Sequence, residues 1–124
     1  MTDHTHRHVE IEDNGRPAAS ADLEPIPNAH AVRVSIHIRA GHVSPGTAAR
    51  LVDAVLDTPE ILRAERLEAT VPRGEAEVLD RVRARCEDVT TRPAGATVLV
   101  DADTHRRAST VISPGLRGLA TTVP

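Results

Sequence analysis

From Ala31 to Ala40 apolar and polar residues alternate. Val32, Val34, Ile36 and Ile38 take one side, and Arg33, Ser35, His37 and Arg39 take the other. That period of two predicts a strand with one buried face and one solvated face. Ser44-Pro45 follows, an N-cap with proline at the first helical position. Ala48, Leu51, Val52, Val55 and Leu56 then recur at the i, i+3, i+4 spacing of a helix stripe. The helix must end by Thr58-Pro59, because proline disfavours helical geometry in the residue before it. The same pair can start one more turn through Ala64. Leu67, Ala69 and Val71 alternate again and predict a strand over Arg66 to Pro72. Gly74-Glu75 opens a second helix with Val78, Leu79, Val82 and Cys86 inward. Glu77 and Arg81 face outward there as an i, i+4 pair. Val89 to Arg92 reads as a short extended piece and Pro93-Ala94-Gly95 as a turn. The run Ala96 to Val100 reads as a strand covered on both sides or paired centrally.

The order is strand–helix–strand–helix–strand. It predicts an α/β two-layer sandwich: a three- or four-stranded sheet with both helices on one face, ferredoxin-like in general style. The polar face of the first strand decides against a third layer. Residues 1–28 read as a flexible leader carrying His4, His6 and His8, then a linker. Asn14-Gly15 signals a turn, and the stretch from Arg16 to Asn28 holds three prolines. The compact domain is then 29–103. Residues 104–124 lack periodicity and read as a flexible tail. Within it, Arg106-Arg107-Ala108-Ser109 resembles a basophilic kinase site.

Composition narrows the chemistry. The chain of 124 residues has no Phe, Tyr or Trp, and its fifteen positive side chains are all Arg. Without rings it cannot stack bases or build an aromatic cage. Without Lys it cannot form a Schiff base or hold a P-loop lysine. A net charge of −3 with both signs interleaved lacks a basic nucleic-acid footprint. One cysteine, Cys86, precludes an internal disulfide and reads as a small buried hydrophobe. The polar start and the lack of a long apolar run point to a soluble cytoplasmic protein, without membrane or nucleic-acid partners. An all-aliphatic core in so small a domain makes self-association attractive.

Three candidate sites emerge. Strand–helix–strand crossovers are right-handed and make the joined strands parallel, and ligands then bind outside the strands' carboxyl ends. If all main strands run parallel, Arg39, Gly41, His42, Ser44, Arg73 and Asp101 meet on one edge as an anion or ligand site beside a helix N-terminus. Asp101-x-Asp103 has cation-binding spacing, but too little chain follows it for a phosphoryl- or sugar-transfer enzyme. The second candidate is the leader. With Met1 removed, Thr2-Asp3-His4 would offer a square-planar donor set for Cu or Ni, and His6 and His8 follow on the same side of an extended segment. The third is an uncovered sheet face bearing Arg33, Ser35, His37 and Arg39, suited to a protein partner or a second copy.

No nucleophile–base pair and no closed metal constellation is evident. The reading this favours is a small non-catalytic interaction or regulatory module without a cofactor, not an enzyme. Its alternatives are a metal-binding protein using the His leader, and a small sensor or enzyme using the loops at the strand carboxyl ends.

Overall fold

Six strands form the sheet. The computed structural model describes residues 6–39 and 44–104. In chain order these hold β1 (Arg7–Asp13), β2 (Arg16–Ile26), β3 (Ala31–Ile38), α1 (Thr47–Leu56), α2 (Pro59–Arg63), β4 (Arg66–Pro72), α3 (Ala76–Arg85), β5 (Glu87–Ala94) and β6 (Thr97–Asp103). The strands lie in the order β1-β2-β3-β4-β6-β5. Every neighbouring pair is antiparallel except β3 with β4. This is a two-layer α/β fold with a six-stranded mixed sheet. It replaces the expected three- or four-stranded ferredoxin-like sheet.

The two extra strands occupy the stretch read as leader and linker. Asn14 and Gly15 both have positive φ, 58° and 78°. That is the geometry of a two-residue hairpin turn, and it joins Asp13 to Arg16 across the β1–β2 ladder. The prolines sit where a strand tolerates them. Pro17 lies at a bulge: Ile11 pairs with Ala19 and Glu12 with Pro17, so Ala18 is the extra residue. Pro25 lies beyond the last β1–β2 pair, Arg7 with Leu23, where that edge of β2 has no strand beside it. The inward residues of β2 are Ala19, Ala21 and Leu23, all nearly inaccessible.

One aliphatic core lies between the sheet and the helices. Val32, Val34 and Ile36 of β3 meet Ala48, Leu51, Val52, Val55 and Leu56 of α1, as the spacing predicts. Val78 and Val82 of α3, with Cys86 just beyond its end, close it from the other side. Thr58 caps α2, its hydroxyl accepting from the Ile61 N–H. Two local expectations fail. The N-cap of α1 is Gly46, not Ser44. Arg81 turns away from Glu77 to reach α1, donating to both Asp53 carboxylate oxygens at 2.8 Å each. Arg85 bonds Asp53 at 3.0 Å and Asp57 at 3.1 Å. A paired, bidentate arginine fork holds α1 to α3 more firmly than a local helix pair would.

Those arginines hold the Asp53 carboxyl at about 2, below its ordinary 3.8; the Arg81 hydrogen bonds are the main cause. A lowered carboxyl pKa adds stability above its unfolded value that is lost as pH falls through the folded one. The clamp therefore stabilises fully above about pH 4 and fades toward pH 2. With solvent screening at this part-exposed group it is worth about 1 kcal/mol. Denaturant titrations from pH 7 to 2 should show Asp53→Asn less stable by that amount at neutral pH, with the gap to the native chain closing between about pH 4 and 2. A constant gap would contradict the clamp.

Candidate functional site

The crossover through α1 and α2 makes β3 and β4 parallel, and they pair over only five positions, from Ala31↔Arg66 to Ser35↔Thr70. Beyond Ser35 the strands part. Ile36, His37 and Ile38 stay with Ala21, Ser20 and Ala19 of β2. Val71 and Pro72 stay with Val98 and Thr97 of β6. Each strand follows its own antiparallel neighbour, and sheet twist carries the two apart. The result is a wedge at the carboxyl end of the parallel pair whose facing backbone edges carry no ladder. The core below is filled: a void of only about 20 Å³, lined by Val34, Ile36, Val52, Val71 and Val78 among others, remains there. A ligand would lie in the mouth of the wedge, not beneath the sheet.

The β2 bulge sets the rim. Its extra residue, Ala18, accepts from the Arg39 N–H at 2.8 Å, which extends β3 by one step. The Arg39 guanidinium donates to the Pro17 carbonyl at 2.9 Å. Arg39, Arg16, Asp13, Asn14, Pro17 and Ala18 line a polar cleft of about 280 Å³. The segment after Arg39 enters α1 through Gly46, whose φ of 89° suits glycine and few other residues. Among the described residues no side chain caps that helix end. Ser44 is engaged elsewhere: its N–H and hydroxyl donate to the Asp13 carboxylate at 2.8 and 2.9 Å. Those two bonds lower the Asp13 pKa, with a smaller contribution from Arg50.

The structure sorts the sequence candidates. Arg39, Ser44 and Arg73 do share the carboxyl edge of the parallel pair. Arg73 is tied to the β5–β6 turn, its N–H to the Ala96 carbonyl at 3.0 Å and its guanidinium to Gly95 at 2.8 Å. Gly41 and His42 lie outside the described residues. Asp101 does not belong to this edge. β6 runs antiparallel to β4, so Asp101 stands at the opposite end, bonded to Arg66 at 3.1 Å. The condition on which Asp101 was grouped with this edge, that all main strands run parallel, is not met.

On the outer sheet face, Arg33 stands opposite Glu24 and Glu68, and His37 lies near Asp22. Each of the four residues read there as an interaction face already has polar neighbours within the sheet or its rim. His6 and His8 belong to or adjoin β1, not a leader; His4 lies outside the described residues, as does Ser109. Asp13 and Arg16 were missed. The available signal was the alternation of His8, Glu10 and Glu12 with Val9 and Ile11 up to the Asn14-Gly15 turn.

This arrangement is a mixed sheet with one parallel pair opened like a V, a crossover helix starting at its mouth, and an antiparallel hairpin on each flank. Solved structures of similar fold include N-acetyltransferases. The fold matches a ribosomal-protein-alanine N-acetyltransferase from Brucella melitensis with TM-score 0.55 and 13% identity, covering 79% of this chain and 67% of that one. It matches an acetyltransferase of the GNAT family from Streptococcus pneumoniae at 0.56 and 14%, covering 79% and 66%. It matches a diaminobutyrate acetyltransferase from Paenibacillus lautus, solved with L-2,4-diaminobutyric acid and coenzyme A, at 0.56 and 14%, covering 78% and 69%. The chain spans about two thirds of these proteins. No protein-family model matches the sequence, and neither does any curated protein.

The fold is therefore GNAT-like. That finding overturns the reading of a non-catalytic interaction module, and with it the preference against an enzyme. Among the described residues no helix is long and apolar enough to cross a membrane.

The Asp13–Ser44 contact ties the β1–β2 hairpin to the segment that enters α1. A hydrogen bond to a carboxylate is worth about 1.5 kcal/mol, a little over tenfold in a local opening equilibrium. Asp13→Ala should speed amide hydrogen exchange at Ser44 about tenfold and leave exchange in α1 beyond its first turn unchanged. Unaltered exchange at Ser44 would show that the contact does not hold the segment.

Proposed function

We propose that this chain binds an acyl-coenzyme A in the wedge between β3 and β4 and transfers the acyl group to an amine. The observation that carries this reading is the parting of the parallel pair after Ser35 and Thr70, beside an uncapped helix start. Coenzyme A is a long, thin ligand with a diphosphate at one end and two amides along its arm. Unpaired strand edges offer N–H and C=O groups to such amides, as they do to any added extended segment. Free N–H groups at the first turn of α1 and the positive end of its dipole favour the diphosphate. Arg39 and Arg16 line the adjoining cleft and supply fixed positive charge. No aromatic ring or lysine is needed for this mode of binding.

In the transfer, the amine nitrogen attacks the thioester carbonyl, a C–N bond forms, the C–S bond breaks and coenzyme A leaves as its thiol. Backbone N–H groups left free in the wedge can stabilise the oxyanion that develops on the way. The acceptor is an amine, by analogy with the N-acetyltransferases that share the fold; its identity is open to a direct screen.

Calorimetric titration with acetyl-coenzyme A should show one site. Arg39→Ala should weaken it about tenfold through loss of charge-assisted contacts, whereas Arg33→Ala on the outer face should leave it within about twofold. A screen of amines with a thiol-reactive dye should then detect release of free coenzyme A. Absence of acetyl-coenzyme A binding at millimolar ligand would rule the reading out.

A further inference from the structure

The ladder between β3 and β4 ends at Ser35 and Thr70. Ile36 then points into the core, so His37 is the first outward side chain of β3 past the apex of the wedge. On β4 the matching residues are Val71, buried in the core, and Pro72. Of the two outward side chains at the apex, only that of His37 can accept a proton. His37 also ends a row across the sheet. Glu10 of β1 stands opposite Ser20 of β2, and Ser20 stands opposite His37. These three residues, with Arg39, line an open cleft of about 180 Å³ on the outer side. Pro17, Ala18 and Arg39 line both this cleft and the rim cleft of about 280 Å³. Two clefts therefore meet at one guanidinium.

The two substrates of an acyl transfer then have separate ways in. With its diphosphate at the start of α1, coenzyme A carries its thioester at the far end of the arm, toward the apex. The core side of the apex is closed, since only about 20 Å³ remains among Val34, Ile36, Val52 and Val71. An amine must come from the outer side, through the cleft beside His37. Glu10 there brings the charge that suits a cationic amine, and Ser20 offers a hydroxyl.

The neighbours leave the imidazole available. Its Nε2 lies 3.6 Å from an Asp22 oxygen, longer than a hydrogen bond, and the side chain is 62% exposed. Asp22 is itself bonded by His8 at 2.8 Å, the main cause of its lowered pKa, and so stays a carboxylate. Arg39 is turned to the Pro17 carbonyl. Arg33, two rows back on the same face, stands opposite Glu24 and Glu68. Asp13, the carboxylate at the rim, is occupied by two bonds from Ser44. Imidazole is the side chain that ordinarily gains and loses a proton between about pH 5 and 8.

We infer that the cleft of Glu10, Ser20 and His37 admits the acceptor amine, and that His37 takes the proton the amine sheds as it attacks. The inference rests on the acyl-coenzyme A reading. As the C–N bond forms, one proton passes from the nitrogen to the imidazole. The electron pair of the C–S bond leaves on sulfur, and the proton passes on to it to give the thiol. His37 is returned as the neutral ring, and no further reactant is needed.

Imidazole NMR signals of the unmutated chain, saturated first with coenzyme A and then with acetyl-coenzyme A, give the direct test. Replacing the thiol by the thioester should move the His37 signals and leave those of His30, just before the start of β3, in place. His37→Gln should lower kcat about 100-fold or more for the amine that the dye screen selects. The same variant should bind acetyl-coenzyme A within about twofold of the native chain, and added imidazole should restore part of the rate to His37→Ala. His37 signals identical with the two ligands, or a kcat in His37→Gln within about threefold of native, would overturn the proposal. Failure of either ligand to bind would instead remove the acyl-coenzyme A reading, and this proposal with it.

Discussion

The parting of β3 from β4 is the constraint on which the rest of the structure turns. A right-handed crossover through α1 and α2 obliges the two strands to run parallel, yet each is committed to an antiparallel neighbour over its whole length. Antiparallel ladders hold slightly better per residue than parallel ones. Where twist sets the two flanks against each other, it is the parallel pair that yields, after Ser35 and Thr70. The wedge is thus a consequence of strand order rather than of any special residue at its mouth. Pro72 ends the β4 strand on one side. On the other, the Ala18 bulge bonds Arg39 and keeps β3 with β2 a step longer.

How much of this could be read from the sequence follows burial. β3, α1, α2, β4 and α3 were legible because Val, Leu and Ile recur in them with the period of a strand or a helix. β2 was not. Its inward residues are mainly alanines, and its prolines mimic a linker; only the register of the ladder shows that both prolines sit where no N–H is needed. β1 carries its signal in Val9 and Ile11, between histidines and glutamates that invited a metal-binding reading of the segment. The direction of β6 was also beyond reach, since a continuous apolar run says nothing about polarity. Asp101 was placed on the wrong edge for that reason alone. Topology places Arg39 and Ser44 at the candidate edge from the sequence alone, whereas the positions of Asp13 and Arg16 depend on a hairpin that the sequence reading took for leader and linker.

The absence of aromatic side chains and lysine shapes both the packing and the chemistry. The core is aliphatic, and the two main helices are joined to each other by an arginine–aspartate clamp between Asp53, Arg81 and Arg85. The rim of the wedge relies on backbone groups and on guanidinium charge. Recognition of this kind suits a ligand that is itself rich in amides and phosphates, the class proposed for the wedge. On the outer face of β1 to β3 imidazoles group on a single carboxylate, and His37 among them stands at the apex of the wedge.

Backbone NMR during titration with acetyl-coenzyme A tests the central claim most directly. The account predicts amide shifts at Ile36 to Arg39, at Val71 and Arg73, and along the first turn of α1, with β5 and the amino end of β3 silent. Shifts centred instead on the cleft at the other end of the sheet, around Pro25, His30 and Arg63, would contradict the assignment of the wedge as the ligand site.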